Sequence, residues 1–395
     1  MQWEKIAQHF NAEEQHYFLA WLGYEAALRQ DARALAWFKA AGNTHLTELQ
    51  AAWRVRAALR ALDWQEVYAG ISAMSPQQQR EDAWRYWYAR ALVELGHADE
   101  AKPLFTALSA GYNFYGQLAA NELGIPIASG TEAAGYQPGM EELDVMLARP
   151  ATQRTIALYR MDLRTDAYRE WVWEVRNFDD RQLLTAAEIA RRYQMYDRAI
   201  NTAELTTKLH DFSLRYLAPY RDSLRGYIQQ NHLEEAWVYG LMRQESRFVS
   251  RAKSNVGAAG LMQVMPSTAR WIARKIGMKD YRKNFIHEVD TNLTLGTYYM
   301  KTVLGWFDNS PVLASAAYNA GPSRARQWRG DMPLEGAIYI ETIPFSETRD
   351  YVKKVMSNTV YYAQQFGQPA RPLKQRLGVI AAKNATNQAP IPDEH

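Results

Sequence analysis

A glutamate standing where an apolar residue belongs gives the first sign of chemistry. From residue 234 the chain has helical periodicity, and its apolar stripe runs Trp237, Leu241, position 245 and Phe248, flanked by Val238 and Met242. Position 245 is a glutamate. Set against apolar neighbours, its carboxylate loses hydration and its pKa rises, which is the condition for a general acid near neutral pH. Pairing of Glu245 with Arg243 or Arg247 at the edge of the stripe accounts for the same spacing, and the stripe alone does not choose.

The residues that follow come in ordered blocks. Glu245-Ser246-Arg247-Phe248 leads to Ser254, then to Gly257-Ala258-Ala259-Gly260-Leu261-Met262-Gln263-Val264-Met265-Pro266, and later to Ala317-Tyr318-Asn319-Ala320-Gly321-Pro322. The last block is Ile340-Glu341-Thr342-Ile343-Pro344-Phe345-Ser346-Glu347-Thr348-Arg349, with Tyr351-Val352 after it. Gly257 and Gly260 permit a tight backbone that approaches its neighbours closely. Ser254 and Gln263 carry hydrogen-bonding groups suited to a polar ligand. Core packing accounts for Leu261 and is the alternative for Met262 and Met265. Residues 312–318 read as a short helix stopped by Gly321, and Asn319 reads as a structural or substrate-facing hydrogen bonder. Glu347 precedes a helical stripe of Val352, Val355, Met356, Thr359 and Val360, and a position at the positive end of that helix explains an acid there by itself.

Taken together, these blocks closely resemble the soluble lytic transglycosylases of the bacterial cell envelope, in detail over residues 225–370. The resemblance implies a mainly α chain: an N-terminal α-superhelical, solenoid-like region, a helical linker domain, and a C-terminal lysozyme-like catalytic domain of the goose type with little β structure. It implies Glu245 as the catalytic acid and later the base. Ser254, Gln263 and Met265 would line the saccharide groove, and Tyr318 would present its hydroxyl to the acid or to the substrate N-acetyl group. Asn319 and Glu347 would contact substrate, Glu347 without acting as a nucleophile. The implied partner is the glycan strand of peptidoglycan, with protein partners docking on the helical repeats, and no cofactor or metal takes part.

Ordinary glycosidases flank the bond with two carboxylates. Here the motif blocks offer one acid with a clear acid/base setting, and no Asp occurs in residues 254–266. The resemblance accordingly implies substrate assistance and cleavage of the MurNAc-β-1,4-GlcNAc bond without water, leaving 1,6-anhydro-MurNAc ends. Two rivals remain at this level: a hydrolytic muramidase on the same fold, and a non-catalytic wall-binding scaffold.

The elements that must hold these blocks are helical. Residues 84–105 place Trp84, Trp87, Tyr88, Ala91, Leu92 and Leu95 at helical spacing, turn at Gly96-His97 and resume with Ala98, Ala101 and Phe105. An earlier copy runs through Tyr17, Trp21, Tyr24 and Leu28, turns near Asp31 and continues through Ala34, Trp37 and Phe38. Such pairs are similar to tetratricopeptide-like hairpins, with an ordinary helical bundle as the alternative. Gly and Pro between residues 124 and 139 mark a linker. Thr185-Ala186-Ala187-Glu188 reads as a capping box, with a hairpin over residues 186–192 and 196–205. The expected domains are residues 1–127, 128–220 and 221–372, with a disordered tail over 373–395.

At 395 residues the chain is too long for one ordinary core, and its apolar content of 47% fits a packed protein of several domains. The first 150 residues hold 12 Lys/Arg against 18 Asp/Glu, and the rest hold 34 against 25, so the later part suits an anionic partner. No nucleic-acid motif accompanies the surplus, which excludes that class in favour of an acidic glycan-peptide polymer. The absence of cysteine removes disulfides, thiolate nucleophiles and cysteine-based zinc sites. His287-Glu288 lacks the second histidine of a zinc-binding helix. Neither a signal peptide nor a transmembrane segment is visible. The periplasm is expected from the resemblance, with the export signal and part of the superhelix removed from the N-terminus.

Overall fold

Side chains that satisfy the free N–H groups of a first turn set where many of the helices begin. Asn11 and Glu14 exchange hydrogen bonds at the start of Ala12–Leu28, and Thr47 and Gln50 do the same for Glu48–Ala61. Asp63 accepts from the Glu66 N–H at the start of Trp64–Ser72. The computed structural model describes residues 2–42, 44–127, 136–369 and 371–384. The fold is mainly α. Its one sheet among the described residues is an antiparallel pair, Leu334–Glu335 with Val379–Ile380, in which Leu334 faces Ile380.

By internal contact these residues form two units. The first holds those up to 127, together with 303–357 and 371–384. Both expected hairpins are present in it: Ala12–Leu28 packs on Ala34–Ala40, and Asp82–Glu94 packs on Ala98–Ser109. Small residues let aromatic ones close in. A Cβ at Gly23 would stand 2.9 Å from the Phe38 ring, so the glycine is needed for the approach. Trp84, Trp87 and Phe105 are buried in the second hairpin.

The helices Pro311–Ala320, Pro322–Gln327 and Gly336–Glu341 belong to this same unit, and Gly336–Glu341 packs on Glu48–Ala61. Contact therefore groups residues 303–357 with the first 127, where the sequence suggests one uninterrupted domain over 221–372. The tail also differs from expectation. Leu373–Leu377 is a helix packed on Phe114–Leu123, and Val379–Ile380 is a strand. Leu373, Leu377 and Ile380 are buried, the Lys374 N–H donates to Asn121 Oδ1 (2.9 Å), and the Lys374 ammonium lies 2.8 Å from Glu122. A polar composition hid three apolar anchors. The rest of the expected tail, 385–395, and residues 128–135 of the expected linker lie outside the described residues.

The second unit holds residues 136–302 and 358–369. Pro150–Arg160 pairs with Arg164–Val175, and Asp180–Arg192 with Tyr196–Glu204, the latter being the expected hairpin. The Trp171 indole N–H donates to Thr202 Oγ1 (2.8 Å) and joins the two pairs. The cap lies earlier than expected. Asp179 and Gln182 form the capping box, and Thr185 sits inside the helix with its hydroxyl bonded to Arg181 O (2.8 Å). Both tetrads fit the local rule, and the earlier one lets Leu183 and Leu184 join the buried face.

Candidate active site

The helix that carries Glu245 runs Glu235–Ser246, and residues 236–243 are all buried, as in a helix at the centre of a core. Glu235 in its first turn is held by Arg221 (2.7 Å). Trp237, Leu241 and Phe248 of the predicted stripe are buried, and Glu245, the next-to-last helical residue, is half-buried where the stripe reaches the helix end. The helix stops because Arg247 and Phe248 take left-handed backbone angles, φ 46° and 65°, which is costly for side chains of this size. Ser246 braces that turn. Its hydroxyl donates to Leu261 O (2.7 Å) and accepts from the Phe248 N–H (3.1 Å), which ties the Glu245 end of the helix to the glycine-containing loop.

The arginines beside Glu245 meet another carboxylate. Arg243, itself buried, donates from Nε to Arg215 O (3.0 Å) and from Nη2 to Glu204 (2.5 Å), and Arg247 lies 3.5 Å from the same Glu204. Burial works against the charge on Glu204, but Arg243, with Arg247 and Arg215 behind it, holds its carboxyl below the ordinary glutamate value.

The loop over residues 252–265 is built on Asn292, which is 1% exposed on the Val289–Trp306 helix. Asn292 Oδ1 accepts from the Met262 N–H (2.8 Å), and Nδ2 donates to Ala259 O (3.0 Å) and Ile286 O (2.8 Å). Gly260 has φ +78°, and a Cβ there would fall 2.1 Å from Asn292 Nδ2. Ser254 and Gln263 are both half-buried in this loop. Ser254 Oγ accepts from the Ala258 N–H (2.9 Å), and Gln263 Nε2 donates to Ala252 O (3.1 Å) and Gly260 O (2.8 Å). Both side chains thus shape the loop. Gln263 keeps its carbonyl oxygen, and Ser254 its hydroxyl proton, for other partners. Met265 is exposed (38%) at the N-cap of Pro266–Lys275.

The remaining expected residues lie in the first unit and are described with it. Pro311–Ala320 is the helix read from residues 312–318, and Gly321 closes it with φ 92°. Tyr318 and Asn319 are half-buried near its end. Asn319 Oδ1 accepts from Thr348 Oγ1 (2.6 Å), which joins that end to the start of Ser346–Gln365. Glu347, next to Thr348, is exposed in the first turn, where an acid favours the helix.

Glu341, in the last of the motif blocks, is 1% exposed. It accepts from Arg56 Nη2 (3.0 Å) and from the Tyr115 hydroxyl, and it lies 2.8 Å from Lys353. Asn292 and Glu341 share the signal that exposed Glu245: a polar residue on an apolar face, with Gly296, Met300 and Val303 beside the first and Ala337 and Ile338 beside the second. Among the described residues no group of three or more His, Cys, Asp or Glu is placed to hold a metal ion, and no helix is long and apolar enough to cross a membrane.

Comparison with known proteins follows the same segments. The transglycosylase SLT domain model matches residues 222–336, the soluble lytic murein transglycosylase L domain model matches 146–211, and the soluble lytic transglycosylase helical domain model matches 342–370. The soluble lytic murein transglycosylase of Salmonella typhimurium is 33% identical over 319 residues, which is 80% of this chain and 49% of that protein. Its Escherichia coli K12 counterpart is 31% identical over 80% of this chain and 48% of its own length. The chain thus spans about half the length of these curated relatives. Among solved structures, an inactive mutant of the lytic transglycosylase Slt from Pseudomonas aeruginosa superposes with a TM-score of 0.80 at 34% identity, covering 92% of this chain and 59% of that one. The 70-kDa soluble lytic transglycosylase in complex with bulgecin A gives a TM-score of 0.74 at 28% identity over 86% of this chain and 55% of that one. With matched segments that include Glu245, its loop and the Tyr318 helix, the chain belongs to the soluble lytic transglycosylase family.

Proposed function

We propose that the protein is a lytic transglycosylase that cuts the MurNAc-β-1,4-GlcNAc bond of peptidoglycan, outside the cytoplasmic membrane, with Glu245 as acid and then base. The observation that carries this reading is the placement of Glu245: half-buried at the end of a buried helix, braced through Ser246 to the loop of Ser254 and Gln263, inside the segment matched by the SLT domain model.

The chemistry follows from having one such acid. Glu245 in its neutral form gives its proton to the glycosidic oxygen as the C1–O bond breaks, and the acetamido oxygen of the muramoyl sugar bonds to C1 to carry the developing charge. The resulting carboxylate then takes the proton from the same sugar's C6 hydroxyl, and O6 displaces the acetamido oxygen at C1. The ring closes as a 1,6-anhydro sugar and Glu245 is again protonated, so no water is consumed. A second carboxylate is not required, and Glu341 is held by Arg56 and Lys353. Gln263 Oε1, Ser254, Met265, Tyr318, Asn319 and Glu347 are the proposed saccharide contacts. Helical pairs of the first unit are the proposed docking surface for protein partners.

The test is Glu245→Gln, an isosteric amide that can neither give nor accept the proton. Turnover of purified peptidoglycan sacculi is expected to disappear while binding of the variant to sacculi persists. Turnover at the wild-type rate would remove Glu245 from the mechanism, and loss of binding together with turnover would point to unfolding, read directly from circular dichroism.

A further inference from the structure

Within the first unit lies a cavity of about 320 Å3, bordered by the Glu48–Ala61 helix, the turn after Ala12–Leu28 and the stretch after Pro322–Gln327. Its wall joins apolar surface from Leu35 and Trp53 to an unusual set of charges. Almost every charge is matched: Arg29 faces Glu25 (3.4 Å), Asp31 faces Arg33 (2.6 Å), Arg56 faces Glu341 (3.0 Å), Arg329 faces Asp308 (2.6 Å), and Lys383 faces Asp331 (2.6 Å).

Arg60 is the exception. Among the described residues no carboxylate pairs with it. Its Nη1 donates only to neutral acceptors, Trp328 O (3.3 Å) and Thr342 Oγ1 (3.1 Å). Asp331, the carboxylate that acts on it through space, is itself bonded to Lys383. Loss of hydration pulls the Arg60 guanidinium down to a pKa of about 10, so it remains a cation at neutral pH. A cation this poorly hydrated without a counter-charge is costly unless an anion joins it.

A second group has the opposite need. Gln30 also lines the cavity, and its Nε2 donates to Thr342 O (3.0 Å), so Gln30 and Arg60 are anchored on the same residue. Its Oε1 is buried with no hydrogen-bond partner among the described residues, and a buried acceptor left in that state destabilises the fold. One anchor residue thus holds a donor cation lacking an anion and an acceptor lacking a donor.

We propose that this cavity binds the charged head of an amino acid or short peptide, its carboxylate on the Arg60 guanidinium and its ammonium at Gln30 Oε1. A planar guanidinium suits a carboxylate, and the Leu35 and Trp53 wall takes an aliphatic side chain. The site stands apart from the reaction and does not rest on the lytic reading.

Isothermal titration of the full chain tests it, with D-alanyl-D-alanine as the probe and acetate, methylammonium and inorganic phosphate as partial mimics. The wild-type chain is expected to bind the dipeptide saturably and each mimic at least tenfold more weakly. Arg60→Ala should weaken dipeptide binding at least tenfold, Arg60→Lys should recover part of it, and Gln30→Ala should weaken it several-fold. Should Arg60→Ala fail to fold, Arg60→Lys and Gln30→Ala carry the test. No saturable binding, equal affinity in all variants, or acetate or phosphate bound as tightly as the dipeptide would each overturn the proposal.

Discussion

The carboxylate of Glu341 lies 3.0 Å from Arg56 Nη2, although 285 residues separate the two in the chain and both are buried. Lys353 and the Tyr115 hydroxyl complete the shell. Removing the charge by Glu341→Gln leaves two cations buried without a counter-ion, and breaking a buried pair in this way costs about 3–5 kcal/mol. Urea unfolding should show that loss. A loss below about 1 kcal/mol, the size typical of an exposed pair, would contradict the assignment.

The same cluster sets a pH dependence. Burial alone raises the Glu341 pKa, but Lys353, Arg56 and Arg349 outweigh it and hold the carboxyl well below the ordinary value of 4.5. A depressed carboxyl stabilises the fold fully above the unfolded pKa, and the contribution is lost as pH falls toward the folded one. The stability gap between wild type and Glu341→Gln should be constant from neutral pH down to about 5 and shrink below about 4.5. A gap that widens on acidification would refute this sign.

Gly260→Ala separates backbone conformation from crowding. The left-handed angle alone costs about 1–2 kcal/mol. The added methyl also meets the Asn292 amide at 2.1 Å, and Asn292 holds three backbone groups of this region. A total loss of about 3 kcal/mol or more in urea unfolding is expected, together with a severalfold drop in sacculus turnover. A loss confined to about 1 kcal/mol would mean that Asn292 yields freely.

Gln263 uses both amide protons on loop carbonyls, so the acid is a worse substitute than the truncation. Gln263→Glu places a carboxylate against Ala252 O and Gly260 O, whereas Gln263→Ala only removes the ties. The rate on sacculi should therefore fall further for Gln263→Glu than for Gln263→Ala. The reverse order would show that the side chain serves the substrate alone.

How much of this was legible in the sequence depends on the distance over which each feature is decided. Local period and punctuation located the Trp84–Phe105 hairpin, the helix of Glu245 and the helix stopped by Gly321, because apolar spacing and a left-handed glycine act within a few residues. The role of Glu341 is hidden from local pattern, since Arg56 and Tyr115 reach it from helices hundreds of residues away. The capping box read from the sequence lies six residues late, because Thr185-Glu188 and Asp179-Gln182 satisfy the same local pattern and only the packing of Leu183 and Leu184 distinguishes them. Polar composition predicts disorder from residue 373 onward, and the spacing of Leu373, Leu377 and Ile380 is the signal that it masks. The resemblance proposes Ser254 and Gln263 as saccharide contacts, but spacing does not reveal that much of their hydrogen bonding goes to their own loop.

The central claim is that Glu245 drives an intramolecular transfer rather than hydrolysis. Mass spectrometry of the fragments that the wild-type protein releases from purified sacculi tests it most directly. Muramoyl ends lighter by one water than reducing ends, the 1,6-anhydro form, are the predicted product, and reducing ends alone would contradict the account.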